Sequence, residues 1–162
     1  MKHALIKSII APIMEAPPRQ AEIADEALCG MVVEVLENKC KWYHIRTHYL
    51  YEGWIHEKHL VFDCNLIRIW NCSPKMVVLQ PYADVLDAPK VQGHIVGEIT
   101  KGGVLSPIGE PQDGWQKVRF CDGREGYTWG AFLGEYITTW NKNNEAALRK
   151  SFTDTAKTYL GT

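Results

Sequence analysis

The chain has 162 residues and a balanced charge, 18 Lys plus Arg against 19 Asp plus Glu, for a net charge of −1. That balance provides no basic field to hold nucleic acid or an anionic membrane, and no apolar run approaches the roughly 20 residues of a membrane-spanning helix. Five cysteines at irregular spacing, without a Cys-x-x-Cys, argue against a disulfide framework or zinc ribbon and for reduced, mostly buried thiols.

The first ten residues carry an early Lys2, but Lys7 and Ser8 interrupt the apolar run and no small-residue cleavage site follows. This is a poor secretory signal and points to the cytoplasm. Ala4 to Ile10 reads as a first strand. Pro12, Pro17 and Pro18 hold the next stretch in a turn or extended loop. Gln20 to Leu28 reads as a wide loop with a short helix. Met31 to Leu36 is a strand, Asn38-Lys39 its turn, and Trp42 to Thr47 its partner. In that partner Tyr43, Ile45 and Thr47 alternate with Trp42, His44 and Arg46, the period of a half-buried strand. Gly53 marks a backbone position that a side chain would crowd. Trp54-Ile55 returns, and His56 to Leu60 makes a short helical turn.

Val61 to Pro74 joins this unit to the next, with Ile67-Arg68-Ile69-Trp70 as a candidate strand. The second unit shows strands at Met76–Leu79, Ala83–Leu86, Ile95–Glu98, Val104–Ile108, Trp115–Cys121 and Gly126–Trp129. Asp113-Gly114 and Asp122-Gly123 are hairpin turns. The tail differs in kind. Asn143 or Asn144 caps a helix with Glu145 in its first turn, and Leu148, Phe152, Thr155, Ala156, Tyr159 and Leu160 recur at helical spacing. That stripe is expected to lie against a barrel or a second molecule, or to be disordered.

The two units are one repeat. At an offset of 73, Trp42 matches Trp115, Arg46 matches Arg119, Gly53 matches Gly126 and Leu60 matches Leu133; upstream, Ala11 to Pro17 matches Ala83 to Pro89 at an offset of 72. One single-residue gap aligns roughly fifty residues, the signature of a duplicated supersecondary unit. The expected fold is all-β: two tandem SH3-like small barrels followed by one C-terminal α-helix. Residues 1–62 form the first barrel, 63–76 a linker, 77–137 the second barrel, and 138–162 a linker and helix.

Other chemistry finds little support. His44 and His48 share a strand face but stand about 13 Å apart by strand rise. His56 and His59 would need two more ligands for zinc. Neither a metal nor a cofactor is expected. Cys40 with His44, or Cys29 with His56, lacks the orienting partner and oxyanion motif of a nucleophile and base. Trp70, Trp115, Trp129 and Trp140 read as barrel core and inter-domain packing rather than a ligand face.

The two modules resemble tandem bacterial SH3 domains. The tail sharpens the likeness: Ala147-Leu148-Arg149-Lys150-Ser151-Phe152 and Ala156-Lys157-Thr158-Tyr159-Leu160-Gly161-Thr162 look like the opening helix of an NlpC-type cysteine peptidase domain. The arrangement is similar to the dipeptidyl-peptidase VI kind of γ-D-glutamyl-L-diamino acid endopeptidase, which cuts short murein peptides. In that family two SH3 modules precede the peptidase, whose helix leads to an Asp-Cys-Ser-Gly nucleophile segment and two later histidines. None of these occurs here. The resemblance therefore implies the non-catalytic region of such an enzyme, with the peptidase domain as its missing partner, and no catalytic residue or activity in this chain alone. It also implies a substrate contact. In the family, a Glu and a Tyr of the first module hold the free N-terminal amine of the substrate's L-Ala; the matching positions are Glu26 and Tyr51, with Asp25 as the competing carboxylate. The alternative reading is a free-standing SH3 pair that binds wall peptide or a protein partner.

Overall fold

The structure is a computed structural model that describes residues 2–17, 21–139, 144–157 and 160. The first barrel contains β1 (Lys2–Ile6), β2 (Ile10–Met14), β3 (Ile23–Leu28), β4 (Val32–Lys39), β5 (Trp42–Arg46), β6 (Glu52–His56) and β7 (Leu60–Val61). A 3-10 turn over Glu57–His59 separates the last two, where the sequence had placed a helical turn. On β5 the expected alternation holds: Ile45 and the following Thr47 are buried, while Trp42, His44 and Arg46 lie on the other face, half-buried.

Three local expectations change. The run from Ala4 to Ile10 is two strands, broken where Lys7 N–H donates to the His59 carbonyl at 2.9 Å and Ser8 Oγ bonds His59 Nδ1 at 2.8 Å. The β4–β5 turn falls at Cys40-Lys41 rather than Asn38-Lys39; Cys40 takes the left-handed backbone (φ 53°), and Asn38 Nδ2 donates to its carbonyl. The expected loop with a short helix is instead β3, paired antiparallel to β2 from Ile10↔Leu28 to Met14↔Ile23. Its Ala and Glu residues suit a helix, but the open edge of β2 offers a full ladder of backbone partners, and that pairing overrides propensity.

The second barrel repeats the first. It contains β8 (Met76–Val78), β9 (Tyr82–Leu86), β10 (Ile95–Thr100), β11 (Val104–Pro107), β12 (Trp115–Arg119), β13 (Glu125–Trp129) and β14 (Leu133–Glu135). The strand orders are β3-β2-β6-β5-β4-β1-β7 and β10-β9-β13-β12-β11-β8-β14, the same path through both. Ile45 faces Gly53 across β5–β6, and Val118 faces Gly126 across β12–β13. A Cβ on Gly126 would stand 2.6 Å from the Leu86 carbonyl oxygen, and one on Gly53 would drive into Ile13; each glycine lets its strand approach the neighbour across the barrel. Arg46 pairs with Glu52 and Arg119 with Glu125, the same ion pair twice. Asp113 (φ 49°) and Gly114 (φ 82°) form the expected hairpin turn.

Between the barrels, Cys64–Cys72 is the helix α1, not a strand. Asp63 caps it by accepting from the N–H groups of Asn65 and Leu66 at 2.8 and 3.0 Å. Ile67 and Trp70, one helical turn apart, both turn inward, and Trp70 is 2% exposed. A single apolar cluster runs across the junction, joining Leu5 and Cys29 of the first barrel through Trp70 to Val85, Ile99 and Phe120 of the second. Backbone bonds cross as well: Val104 N–H donates to the Cys29 carbonyl at 2.9 Å, and Cys121 Sγ donates to the Ile6 carbonyl at 3.1 Å. The barrels thus share a core.

The tail helix α2 spans Glu145–Lys157, and Asn144 caps it through Ala147 N–H. Along its stripe Leu148 is half-buried, Phe152, Thr155, Ala156 and Leu160 are exposed, and Tyr159 lies outside the described residues. Among the described residues no helix is long and apolar enough to cross a membrane.

Candidate functional site

The site suggested by the sequence lies where β3 meets the loop between β5 and β6. That loop is tightly made. Thr47 N–H donates to the Tyr51 carbonyl at 2.9 Å, Tyr51 N–H donates to Thr47 Oγ1 at 3.0 Å, and Leu50 sits in the left-handed region (φ 66°). Tyr49 and Tyr51 are therefore placed by backbone rather than by side-chain packing alone. Tyr51 is half-buried and packs on the first barrel's apolar cluster.

Asp25 and Glu26 are consecutive on β3 and so leave it on opposite faces. Asp25 shares its face with the buried Ala27. It accepts a hydrogen bond from Tyr49 Oη at 2.6 Å, and its other oxygen accepts from Glu26 N–H at 2.8 Å. Burial, followed by the Asp25 hydrogen bond, pushes Tyr49 up to about 12, so it remains a protonated donor. Glu26 leaves on the other face with Leu28, and its side chain is exposed. The structure therefore joins Asp25 to Tyr49, while Glu26 leaves the other face of the strand. Tyr49 was missed by sequence reasoning; its signal was its place two residues before Tyr51 in the same short loop.

The remaining candidates have structural tasks. His44 stacks on Trp54 at 5.0 Å, Trp42 meets His56 edge-on at 5.2 Å, and His56 Nδ1 accepts Lys58 N–H at the start of the 3-10 turn. Among the described residues no three His, Cys, Asp or Glu side chains gather as a metal set. Of the thiols, Cys29 and Cys121 are buried, but Cys40, Cys64 and Cys72 are exposed, contrary to the expectation of mostly buried cysteines. The Cys29 thiol is pushed far up, first by its hydrogen bond with Cys121 and then by burial, the opposite of an activated nucleophile. Trp70 packs between domains as expected. Trp115 and Trp129 are not core: Trp129 is 40% exposed, and the pair stands edge-on at 5.6 Å in the wall of a groove. Trp140 lies outside the described residues.

Two barrels of identical strand order, fused through one core and followed by a helix, define a tandem SH3-like fold. The comparisons agree. Residues 13–60 match the family model described as the bacterial dipeptidyl-peptidase Sh3 domain. The chain is 29% identical over 164 residues to "Dipeptidyl-peptidase 6" of Lysinibacillus sphaericus, which covers 99% of this chain and 60% of that protein. The chain thus spans about three fifths of the length of that curated relative. Among solved structures, an NlpC/P60 family protein from Bacillus cereus ATCC 10987 superposes with a TM-score of 0.70 over 91% of this chain and 62% of that one, at 17% identity, which shows a shared fold. Residues 13–60 are thus similar to the Sh3 domain of bacterial dipeptidyl-peptidases, and the chain as a whole is similar to one such protein.

Proposed function

We propose that this chain is the non-catalytic, substrate-selecting region of a cysteine peptidase that cleaves γ-D-glutamyl-L-diamino acid bonds in murein peptides in the cytoplasm. In this reading the first barrel borders the cleft of the peptidase domain, narrows it, and holds the free amine of the substrate's N-terminal L-Ala. The observation that carries the proposal is the likeness to a dipeptidyl-peptidase along 99% of the chain, together with an acid-and-phenol corner at the rim of the matching barrel. A carboxylate accepts a charge-assisted hydrogen bond from an ammonium and a phenol oxygen accepts another. A bond to a charged group contributes about 1.5–3 kcal/mol, enough to favour short free-amine peptides over intact wall.

Glu26 and Tyr51 are the residues that the resemblance assigns to the amine. Asp25 is the rival carboxylate, next to Glu26 on β3 and bonded to Tyr49 two residues before Tyr51. The test is kinetic, in the full-length peptidase. Glu26→Gln is expected to raise KM for a free-amine peptide and to leave an N-acetylated peptide nearly unaffected. The same pattern from Asp25→Asn, with Glu26→Gln silent, moves the contact to Asp25. Equal losses on both substrates from both variants refute an amine-reading corner.

A further inference from the structure

Residues 47–51 join β5 to β6, and residues 120–124 join β12 to β13. The offset of 73 carries one loop onto the other, Tyr49 onto Asp122 and Tyr51 onto Arg124. The strand that each loop reaches also repeats. Pro12↔Glu26 and Asp84↔Glu98 are the same rung of the two sheets, so Glu98 stands where the first barrel has Glu26, and Gly97 where it has Asp25. Each barrel fastens its loop to that strand, and the two do so with different residues.

In the second barrel Arg124 makes the tie. Its Nη1 donates to the Val96 carbonyl at 2.9 Å, its Nε donates to Asp122 at 2.8 Å, and its guanidinium lies 4.6 Å from the centre of the Phe120 ring. A Cβ on Gly97 would stand 2.9 Å from both Arg124 and Phe120, so a side chain there would have to displace them. Glu98 accepts a hydrogen bond from the Tyr82 hydroxyl. The counterparts of Glu26 and Tyr51 are thus both spent on contacts within the barrel.

In the first barrel Tyr49 and Asp25 take over that task. Tyr49 Oη donates to Asp25 Oδ2 at 2.6 Å, and among the described residues this is the one hydrogen bond that joins the loop to β3. Asp25 Oδ1 accepts from Glu26 N–H at 2.8 Å, so the Asp25 carboxylate is held at both oxygens. Packing does little at the tip of the loop, where Tyr49 is 46% and Leu50 77% exposed. The Glu26 carboxylate and the Tyr51 hydroxyl, by contrast, have no hydrogen-bond or ion-pair partner among the described residues. The duplicated corner has diverged: its tie has moved to two other residues, and the positions of Glu98 and Arg124 are left unspent.

We propose that Asp25 and Tyr49 form a clasp that positions the amine-reading pair. By fastening the loop to β3 they fix the spacing of Tyr51 and Glu26 and leave both free to meet the substrate ammonium. Asp25 and Tyr49 are then positioning residues, and neither touches the substrate. The inference rests on the amine reading above and goes beyond it by giving the rival carboxylate a different task. A phenol–carboxylate bond is charge-assisted and therefore strong enough to hold an exposed loop. With the clasp open, Glu26 and Tyr51 keep their chemistry, but the loop must be ordered at the moment of binding, and affinity falls by that cost.

The test uses the full-length peptidase with L-Ala-γ-D-Glu-diaminopimelate, free and N-acetylated. Tyr49→Phe removes one exposed oxygen and leaves Asp25, Glu26 and Tyr51 in place. It is expected to raise KM for the free-amine peptide roughly tenfold and to leave the acetylated peptide nearly unaffected. Asp25→Asn should do the same, and the double variant should be no worse than the worse single one, because both changes open one bond. If Asp25 itself held the amine, Tyr49→Phe would release its carboxylate and KM would stay or fall; that result overturns the proposal. So would equal losses on both peptides in Tyr49→Phe, or losses that multiply in the double variant. A Glu26→Gln enzyme that loses the free-amine preference beside a Tyr49→Phe enzyme that keeps it overturns the clasp alone. A preference that survives both Glu26→Gln and Asp25→Asn overturns the amine reading, and the clasp with it.

Discussion

Trp70 Nε1–H donates to the carbonyl of Gly30 at 3.0 Å, across 40 residues of sequence and at the centre of the junction between the barrels. Gly30 has a left-handed backbone (φ +88°), and a Cβ there would meet both Val104 and the Trp70 ring at 2.8–2.9 Å. The helix between the modules is therefore a wedge seated in a slot made by both barrels. Trp70→Ala is expected to cost about 3–5 kcal/mol, the range for removing a large buried aromatic. Trp70→Phe should cost less, about 1 kcal/mol of it from the lost hydrogen bond. Urea midpoints followed by fluorescence measure both; a Trp70→Ala protein as stable as the parent would show that the barrels do not lean on the wedge.

The repeated glycines predict matched losses. Gly53→Ala and Gly126→Ala should each destabilise by about 1–3 kcal/mol, because the new methyl has nowhere to go without shifting a strand. Thermal unfolding of the two variants side by side checks it. A loss at one position and none at the other would break the structural equivalence of the hairpins.

Thiol reactivity should divide by exposure. Cys40, Cys64 and Cys72 are expected to react with Ellman's reagent at pH 8 in the folded chain, and Cys29 and Cys121 only after denaturant is added. Stability should also fall on the alkaline side. The folded state holds the Cys29 proton well above the ordinary thiol value of 9.0, whereas the unfolded chain releases it there. The contribution is thus fully present below that pH and is lost as pH rises above it, with a slope of about 1.4 kcal/mol per pH unit at its steepest. Cys29→Ala should flatten that limb of the stability curve; an unchanged slope would assign it elsewhere.

Tyr49 offers a direct reading of the first-barrel corner. Asp25→Asn removes the carboxylate that accepts its proton, so its titration should move from about 12 part of the way toward the ordinary 10.0, with burial holding back the remainder. Absorbance at alkaline pH, compared with a Tyr49→Phe control, isolates this one phenol. No movement in Asp25→Asn would mean that the 2.6 Å contact does not persist in solution.

The tail helix should be dispensable to the barrels. No described residue of α2 is buried, so removing residues 144–162 is expected to leave the unfolding midpoint of the remaining chain within about 2 °C, less than the shift that 1 kcal/mol produces in a domain of this size. A larger fall would reveal packing that burial does not show.

Much of this molecule was legible in one dimension. The constant offset linking Trp42 to Trp115 and Gly53 to Gly126 determined two copies of one barrel, because strand alternation and close-approach glycines are local demands that each copy must meet alone. Asn144 as a cap and the helical spacing after it determined α2 for the same reason. What the tertiary structure decided involved partners distant in sequence. Glu26 and its neighbours form a strand only because β2 lies open beside them, and the segment at Ile67–Trp70 is a helix because its inward face fills the slot between the barrels. The corner at Asp25 needed Tyr49, which comes within hydrogen-bond reach only after the β5–β6 loop folds back through Thr47. Trp115 and Trp129 read as core from composition alone. Whether an aromatic closes a core or walls a groove depends on what stands opposite it, and Trp115 and Trp129 line an open groove together with Tyr82 and Ile95.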